Sequence, residues 1–182
     1  KRLTVGAALA ALLALTGMAS AETALERGEY LVRGPMGCGN CHTPRNPDNT
    51  FAEGMYLAGG FEFNELPAFH TYAANITPDT ETGIGHYSLA DFDRAVRHGV
   101  APDSRRLYPA MPYPSYAKLS DDDVRALYAF FMKGVAPVKQ ANIPGAIPFP
   151  LNLRWPIALW NGVFVDAEPY VAKPSQDEQW NR

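Results

Sequence analysis

The chain has 182 residues, 47% of them hydrophobic, and its 16 Lys and Arg against 19 Asp and Glu give a formal net charge of −3. This balance suits a globular protein with a buried core. No run of Lys and Arg is present, so the sequence gives no support to nucleic-acid binding.

The first 21 residues have the pattern of an export signal. Lys1 and Arg2 precede an uncharged apolar run over residues 3–15, and Ala-Ser-Ala at 19–21 offers a signal-peptidase site. The run is shorter than the roughly 20 apolar residues that cross a bilayer. We expect residues 1–21 to be a signal peptide that directs the protein to the periplasm. Loss of Lys1 and Arg2 then takes the net charge from −3 to −5.

A short helix is predicted next, over residues 22–33. Its apolar stripe at helical spacing consists of Leu25, Gly28, Leu31 and Val32. This helix leads directly into the most informative motif of the chain.

Cys38 and Cys41 stand three positions apart with His42 directly behind them. This Cys-x-x-Cys-His spacing is the signature of covalent haem c attachment. On one helical turn the two thiols share a face, so both can form thioethers with one haem. We therefore predict one covalent haem c, anchored by Cys38 and Cys41, with His42 as an axial ligand of the iron.

Two other kinds of site use a Cys-x-x-Cys pair, namely a redox dithiol and half of a zinc site. The redox motif belongs beside a βαβ unit, of which the sequence shows no sign. A zinc site needs two further ligands, but no other Cys exists and His70, His86 and His98 are scattered. Haem attachment is therefore the preferred interpretation.

Residues 43–85 are predicted to form a long loop wrapped around the haem. Pro and Gly interrupt this region repeatedly, and its apolar residues keep neither a helical nor a strand period. A loop of such length is uncommon unless it has a functional reason.

Two further helices are predicted after the loop. The first is predicted from Ser88 to His98 with Gly99 at its C-terminal end, and the second begins after Ser120 and ends at Gly134. Their apolar stripes are Leu89, Phe92, Ala95 and Val96, and then Val124, Leu127, Tyr128 and Phe131.

Four methionines beyond the signal are candidates for the second axial ligand. Met36 is too near the attachment turn to reach the opposite face of the haem, Met132 suits core packing, and Met55 has no supporting feature. Met111 stands in Tyr-Pro-Ala-Met-Pro-Tyr-Pro at 108–114, where the prolines disfavour helix and favour an extended segment. We predict Met111 as distal ligand, because His/Met ligation raises the reduction potential of the haem.

The order of first helix, attachment motif, long loop, methionine segment and last helix resembles the class I cytochrome c fold. That fold is mainly α, with short helices and long loops wrapped around one covalent haem. In that family the first and last helices cross beside the haem. The resemblance implies that Gly28 allows this close approach, with Tyr128 or Leu127 opposite.

Six strings carry a closer resemblance: ERGEYLV at 26–32, CHTPRN at 41–46, NITPDTETGIG at 75–85, RHGV at 97–100, YPAMPYPSY at 108–116 and LYAFF at 127–131. They are similar to the first haem domain of the membrane-bound cytochrome c subunits of bacterial alcohol, gluconate and aldehyde dehydrogenases. By that resemblance Cys38 and Cys41 are thioether anchors, His42 is the proximal ligand and Met111 the distal ligand.

The resemblance implies an electron-transfer subunit and not a catalytic one. Its partner would be the catalytic subunit of a quinoprotein or flavoprotein dehydrogenase, and electrons would pass to ubiquinone at the periplasmic face of the inner membrane. Such subunits have three haem domains in tandem, whereas this chain has one Cys-x-x-Cys-His motif. We therefore expect a fragment whose residues 179–182 lead towards a second domain, with membrane association and ubiquinone contact outside this chain.

The predicted organisation is a signal peptide at 1–21, a cytochrome c domain at 22–135 and a Pro-rich segment at 136–182. Residues 135–175 are expected to be extended, with the apolar run at 151–160 packed on a neighbouring haem domain or dehydrogenase subunit. A stand-alone soluble cytochrome c shuttle is the nearest alternative function. A haem peroxidase or gas sensor would require an open or weakly held distal position.

Overall fold

The structure, a computed structural model, describes residues 22–177 except 66, 68 and 169. The predicted signal peptide at 1–21 and the string at 179–182 lie outside the described residues. Six helices and one antiparallel strand pair occur among these residues: α1 Ala24–Arg33, α2 Gly39–His42, β1 Glu62–Glu65, β2 Phe69–Tyr72, α3 Leu89–His98, α4 Tyr113–Tyr116, α5 Asp121–Lys133 and α6 Trp155–Phe164. The fold is therefore mainly helical.

The three helices predicted from the sequence are confirmed as α1, α3 and α5. Each begins after a hydroxyl side chain that accepts a hydrogen bond from a backbone N–H three residues later: Thr23 from Glu26 at 3.2 Å, Ser88 from Asp91 at 3.2 Å and Ser120 from Asp123 at 3.1 Å. Such N-caps satisfy a donor that the helix itself leaves unpaired. The C-cap of α3 is Gly99, whose φ of 63° is in the left-handed region that favours glycine.

The hydrophobic core lies where α1, α3 and α5 meet. Its buried side chains include Leu31 and Val32 of α1, Phe92 and Val96 of α3, and Val124, Leu127, Phe130 and Phe131 of α5. Leu25 and Leu89, which the helical spacing places on the apolar stripes, are exposed. Both lie in the first turn of their helix, beyond the part that the core covers.

The backbones of α1 and α5 approach each other closely at Gly28. A Cβ atom at Gly28 would stand 2.2 Å from the Ala126 carbonyl oxygen and 2.7 Å from the Phe130 Cβ. The expectation that Tyr128 or Leu127 lies opposite is therefore wrong. Residues four apart share a helix face, which places Ala126 and Phe130 together, while the Tyr128 hydroxyl points elsewhere and donates to the Tyr87 carbonyl at 2.9 Å.

The predicted loop over 43–85 contains a short β-hairpin that the sequence analysis missed. β1 and β2 pair antiparallel, with Glu62 opposite Tyr72 and Glu65 opposite Phe69. Each strand has only four residues, none of them buried. A strand this short and this exposed does not produce the alternation by which strands are predicted.

The segment after α5 is only partly as predicted. Residues 136–148 form neither helix nor strand, as expected, but the expectation of little regular structure is wrong at α6. Pro156 lies in the first turn of α6, where its missing N–H costs no hydrogen bond. Of the residues of α6, all of which are described, Ile157 alone is buried, and its exposed apolar side chains are Trp155, Leu159, Trp160, Val163 and Phe164.

Contact of these side chains with a neighbouring domain or subunit therefore stays a prediction, as does the domain boundary at 135–136. Among the helices within the described residues, none has the length and apolar character needed to cross a membrane.

Replacing Gly28 tests the helix crossing. We expect Gly28→Ala to lower the free energy of unfolding of the intact protein by about 1–3 kcal/mol, since the new methyl group pushes α1 away from α5. Denaturant unfolding followed by circular dichroism measures this change.

The matched control is Gly162→Ala in α6, where a Cβ atom would meet nothing within 4 Å. It should leave stability unchanged or raise it by up to about 1 kcal/mol through helix propensity. Equal stability of Gly28→Ala and wild type would contradict the close crossing.

Candidate functional site

The attachment motif forms a single helical turn, α2, which begins at Gly39 after α1 has ended at Arg33. The Cys38 N–H donates to the Val32 carbonyl at 3.1 Å, and the His42 N–H donates to the Cys38 carbonyl at 2.9 Å. Gly37, with φ of 56°, supplies a left-handed residue between α1 and this turn. Cys38 and Cys41 are free, half-buried thiols, three positions apart on the turn.

The His42 ring is held by a hydrogen bond to a backbone carbonyl. Its Nδ1 lies 2.7 Å from the Ala74 oxygen, and a carbonyl only accepts, so Nδ1 carries the proton. Burial lowers the pKa of His42, an effect that the Ala74 contact opposes. Burial thus favours the neutral imidazole, in which the Nδ1–H contact with Ala74 leaves Nε2 unprotonated, and this is the form that ligates a metal.

The Ala74 carbonyl is itself positioned by a buried polar network around Asn75. The Asn75 side chain donates to the Val138 carbonyl at 2.8 Å and accepts from the Thr77 N–H at 2.9 Å and the Thr77 hydroxyl at 2.7 Å. The Asn75 N–H donates to the Asn142 side chain at 2.7 Å. These bonds fix the chain on both sides of Asn75, and thereby the direction of the carbonyl that holds His42.

The loop before β1 closes over the other side of the turn. The Thr43 hydroxyl accepts from the Leu57 N–H at 3.1 Å, and the Gly59 N–H donates to the His42 carbonyl at 2.7 Å. Gly59 has φ of 82°, and a Cβ atom there would stand 2.6 Å from the Ala74 carbonyl carbon. Only glycine allows this passage between His42 and Ala74.

The environment of Cys38 differs from that of a reactive dithiol. Burial raises the pKa of the Cys38 thiol to about 11, whereas reactive cysteines have lowered pKa values. Within the part of the chain that the structure describes, no three His, Cys, Asp or Glu side chains converge in a metal-binding arrangement.

Met111 lies half-buried against the same core as Cys38. Its N–H donates to the Tyr108 carbonyl at 3.0 Å, and its carbonyl accepts from the Tyr113 N–H at 2.8 Å. The segment at 108–114, which was expected to be extended, is therefore a turn followed at once by the short helix α4. Pro114 does not prevent this helix because it lies in the first turn.

Tyr116 links the segment after Met111 to the attachment motif, and the sequence analysis did not single it out. Its hydroxyl donates to the Met36 carbonyl at 3.1 Å. Burial, together with the nearby Cys38 and Cys41 thiols, raises the pKa of Tyr116 to about 12. The structure thus brings α4 beside the two cysteines. The signal available in the sequence was the position of Tyr116 at the end of the string 108–116.

The other three methionines, Met36, Met55 and Met132, are all half-buried. Met36 and Met132 are half-buried against the core, as predicted for Met132. Met55 is half-buried in a turn, where its carbonyl accepts from the Ala58 N–H at 3.0 Å.

Comparison with known proteins gives a consistent set of relatives, although no protein-family model matches the chain. It is 54% identical over 140 residues to the gluconate 2-dehydrogenase cytochrome c subunit of Pantoea cypripedii, a match over 77% of this chain and 30% of that protein. It is 45% identical over 159 residues to the cytochrome c subunit of the quinone alcohol dehydrogenase of Gluconobacter oxydans, covering 87% of this chain and 31% of that protein.

A third relative is the fructose dehydrogenase cytochrome subunit of Gluconobacter japonicus, 38% identical over 159 residues, which are 87% of this chain and 31% of that protein. The chain thus spans about a third of the length of these curated relatives. Over the residues that are matched, the chain belongs to the family of cytochrome c subunits that these three proteins represent.

Proposed function

We propose that this chain binds one haem c covalently through Cys38 and Cys41 and carries electrons in a dehydrogenase complex. The observation that supports this most strongly is the attachment turn itself. It presents two thiols at i and i+3, followed by a neutral imidazole whose Nδ1 is bonded to the Ala74 carbonyl. The names of the relatives support the same conclusion, since all three are cytochrome subunits of dehydrogenases.

The donor set fits haem c. The thiols of Cys38 and Cys41 would hold the group by thioether bonds, and the Nε2 atom of His42 would ligate its iron. When bound, haem c supplies a one-electron redox centre. We propose Met111 as the second axial ligand, since it packs against the same core as Cys38. With two protein ligands, the iron would have no coordination position for a substrate.

The finer assignment to the class I cytochrome c fold is also a proposal. It is supported by the chain order of α1, attachment turn, methionine turn and α5. The close crossing of α1 and α5 at Gly28 supports it as well, since that crossing is a feature of the class.

We further propose that the electron donor is the catalytic subunit of a quinoprotein or flavoprotein dehydrogenase, and that electrons proceed towards ubiquinone. These roles belong to whole proteins about three times the matched length, so they extend to this chain as part of such an assembly. The site of action would be the periplasmic face of the inner membrane, in keeping with the export pattern at 1–21. The names of the three relatives give no support to a stand-alone shuttle.

Substitution of the two cysteines tests haem attachment. After periplasmic expression with the haem-attachment machinery, we expect wild type to keep haem on a denaturing gel. Cys38→Ala and Cys41→Ala should each keep one thioether, with the absorption maximum of the pyridine haemochrome shifted to longer wavelength. The double variant should carry no covalent haem. Wild-type protein without covalent haem would refute the proposal.

Substitution of methionines tests the distal ligand. We expect Met111→Leu to abolish the Met-to-iron charge-transfer band of the ferric protein and to lower its reduction potential. Met132→Leu is the matched control, because that side chain is also half-buried against the core, and it should keep the band. A band that survives in Met111→Leu would overturn the assignment, and a high-spin ferric wild type would instead favour a peroxidase or gas sensor.

A further inference from the structure

The segment that carries Met111 is held from outside by residues of the α6 region. We call residues 106–113 the strap and residues 151–161 the clamp. Three hydrogen bonds join them: the Tyr108 hydroxyl to the Leu151 carbonyl at 2.9 Å, the Arg154 Nη1 to the Arg106 carbonyl at 2.5 Å, and the Tyr113 hydroxyl to the Asn161 Oδ1 at 2.6 Å. The clamp therefore holds the strap on both sides of Met111.

Asn161 makes the contact nearest to Met111 along the chain. Its partner Tyr113 is fully buried, and the Tyr113 N–H donates to the Met111 carbonyl at 2.8 Å. The Asn161 Nδ2 also donates to the His98 carbonyl at 3.4 Å. A Cβ atom at Gly99 would stand 2.6 Å from the Tyr113 ring. The Tyr113 ring is thus confined between the end of α3 and Asn161.

Arg154 holds the opposite end of the strap. Its guanidinium lies over the Tyr108 ring, 4.2 Å from the ring centroid, in addition to its hydrogen bond to the Arg106 carbonyl. A planar guanidinium suits this combination of stacking and directed donation. One side chain therefore fixes both the backbone and the aromatic ring just before Met111.

The strap makes few backbone hydrogen bonds, among them the two at Met111 and, outside the clamp, one from the Leu107 N–H to the Gly99 carbonyl at 2.8 Å. Pro109 and Pro112 lack the N–H groups with which a turn would bond to itself. The clamp, in contrast, contributes little apolar packing, since Ile157 alone of α6 is buried. Its contact with the domain is thus directed and polar, and it is concentrated on the strap.

We propose that Asn161 and Arg154 are positioning residues that keep the strap closed and so retain the Met111 thioether on the iron. The proposal rests on Met111 being the distal ligand, as proposed above. Its consequence is that loosening the clamp eases displacement of Met111 by an external ligand while the rest of the domain stays folded.

Imidazole binding to the ferric haem-loaded protein measures this displacement. We expect Asn161→Leu to increase the affinity for imidazole about tenfold, the size of effect expected when a buried hydroxyl loses its partner. Tyr113→Phe removes the same hydrogen bond from the strap side, and the double variant should show no further increase. Arg154→Met should raise the affinity independently.

Leu159→Gln is the control, because it changes an exposed side chain of the same helix and should leave the affinity unchanged. Denaturant unfolding of each variant checks that the protein is folded under the conditions of the imidazole measurement.

The spectrum and the imidazole affinities test the distal ligand and the clamp separately. Wild-type protein without a Met-to-iron band overturns the distal-ligand assignment and the clamp with it. A wild-type band with unchanged imidazole affinity in both Asn161→Leu and Arg154→Met overturns the clamp alone. The clamp is also overturned if Leu159→Gln raises the imidazole affinity as much as Asn161→Leu does.

Discussion

The hydrogen bond from His42 Nδ1 to the Ala74 carbonyl is the interaction on which the candidate site depends. It fixes the tautomer of the ring, leaves Nε2 as the nitrogen able to ligate a metal, and joins the attachment turn to the loop around Asn75. That loop is in turn bonded to the segment after α5 through Val138 and Asn142. Residues more than 90 positions apart thus cooperate to orient one imidazole.

The two sides of the site are stabilised by different means. The His42 side depends on a buried network in which each polar group has a protein partner. A satisfied network of this kind rigidifies its surroundings. The Met111 side consists of a proline-containing turn with few bonds of its own, and it takes its support from α4 and the clamp. We therefore expect the Met111 side to open to a ligand more readily than the His42 side.

The main helices, and the placement of Cys38, Cys41 and His42 on one turn, could be predicted from the sequence because their signals are local. Hydroxyl caps such as Ser88 and Ser120 begin helices by contacts only three residues long, and Cys38, Cys41 and His42 lie on one turn. The orienting partner of His42 could not be predicted, since a backbone carbonyl has no side-chain signature. The same limit applies to the residue opposite Gly28, which depends on how α5 is rotated about its axis.

The missed elements have physical reasons too. The sequence does not predict α6, because proline usually breaks a helix, whereas Pro156 lies in the first turn, where proline is tolerated. The strands β1 and β2 are too short and too exposed to show a period. The pairing of Asn161 with Tyr113 depends on tertiary structure, because 48 positions separate the two residues.

Mass spectrometry of the tryptic peptide spanning residues 34–45 tests the central claim most directly. Trypsin cuts after Arg33 and after Arg45, and the resulting peptide contains both cysteines and His42. For protein purified after export, covalent haem attachment predicts a peptide that carries the mass of one haem and has no thiol open to alkylation. An unmodified peptide with two alkylated cysteines would contradict it.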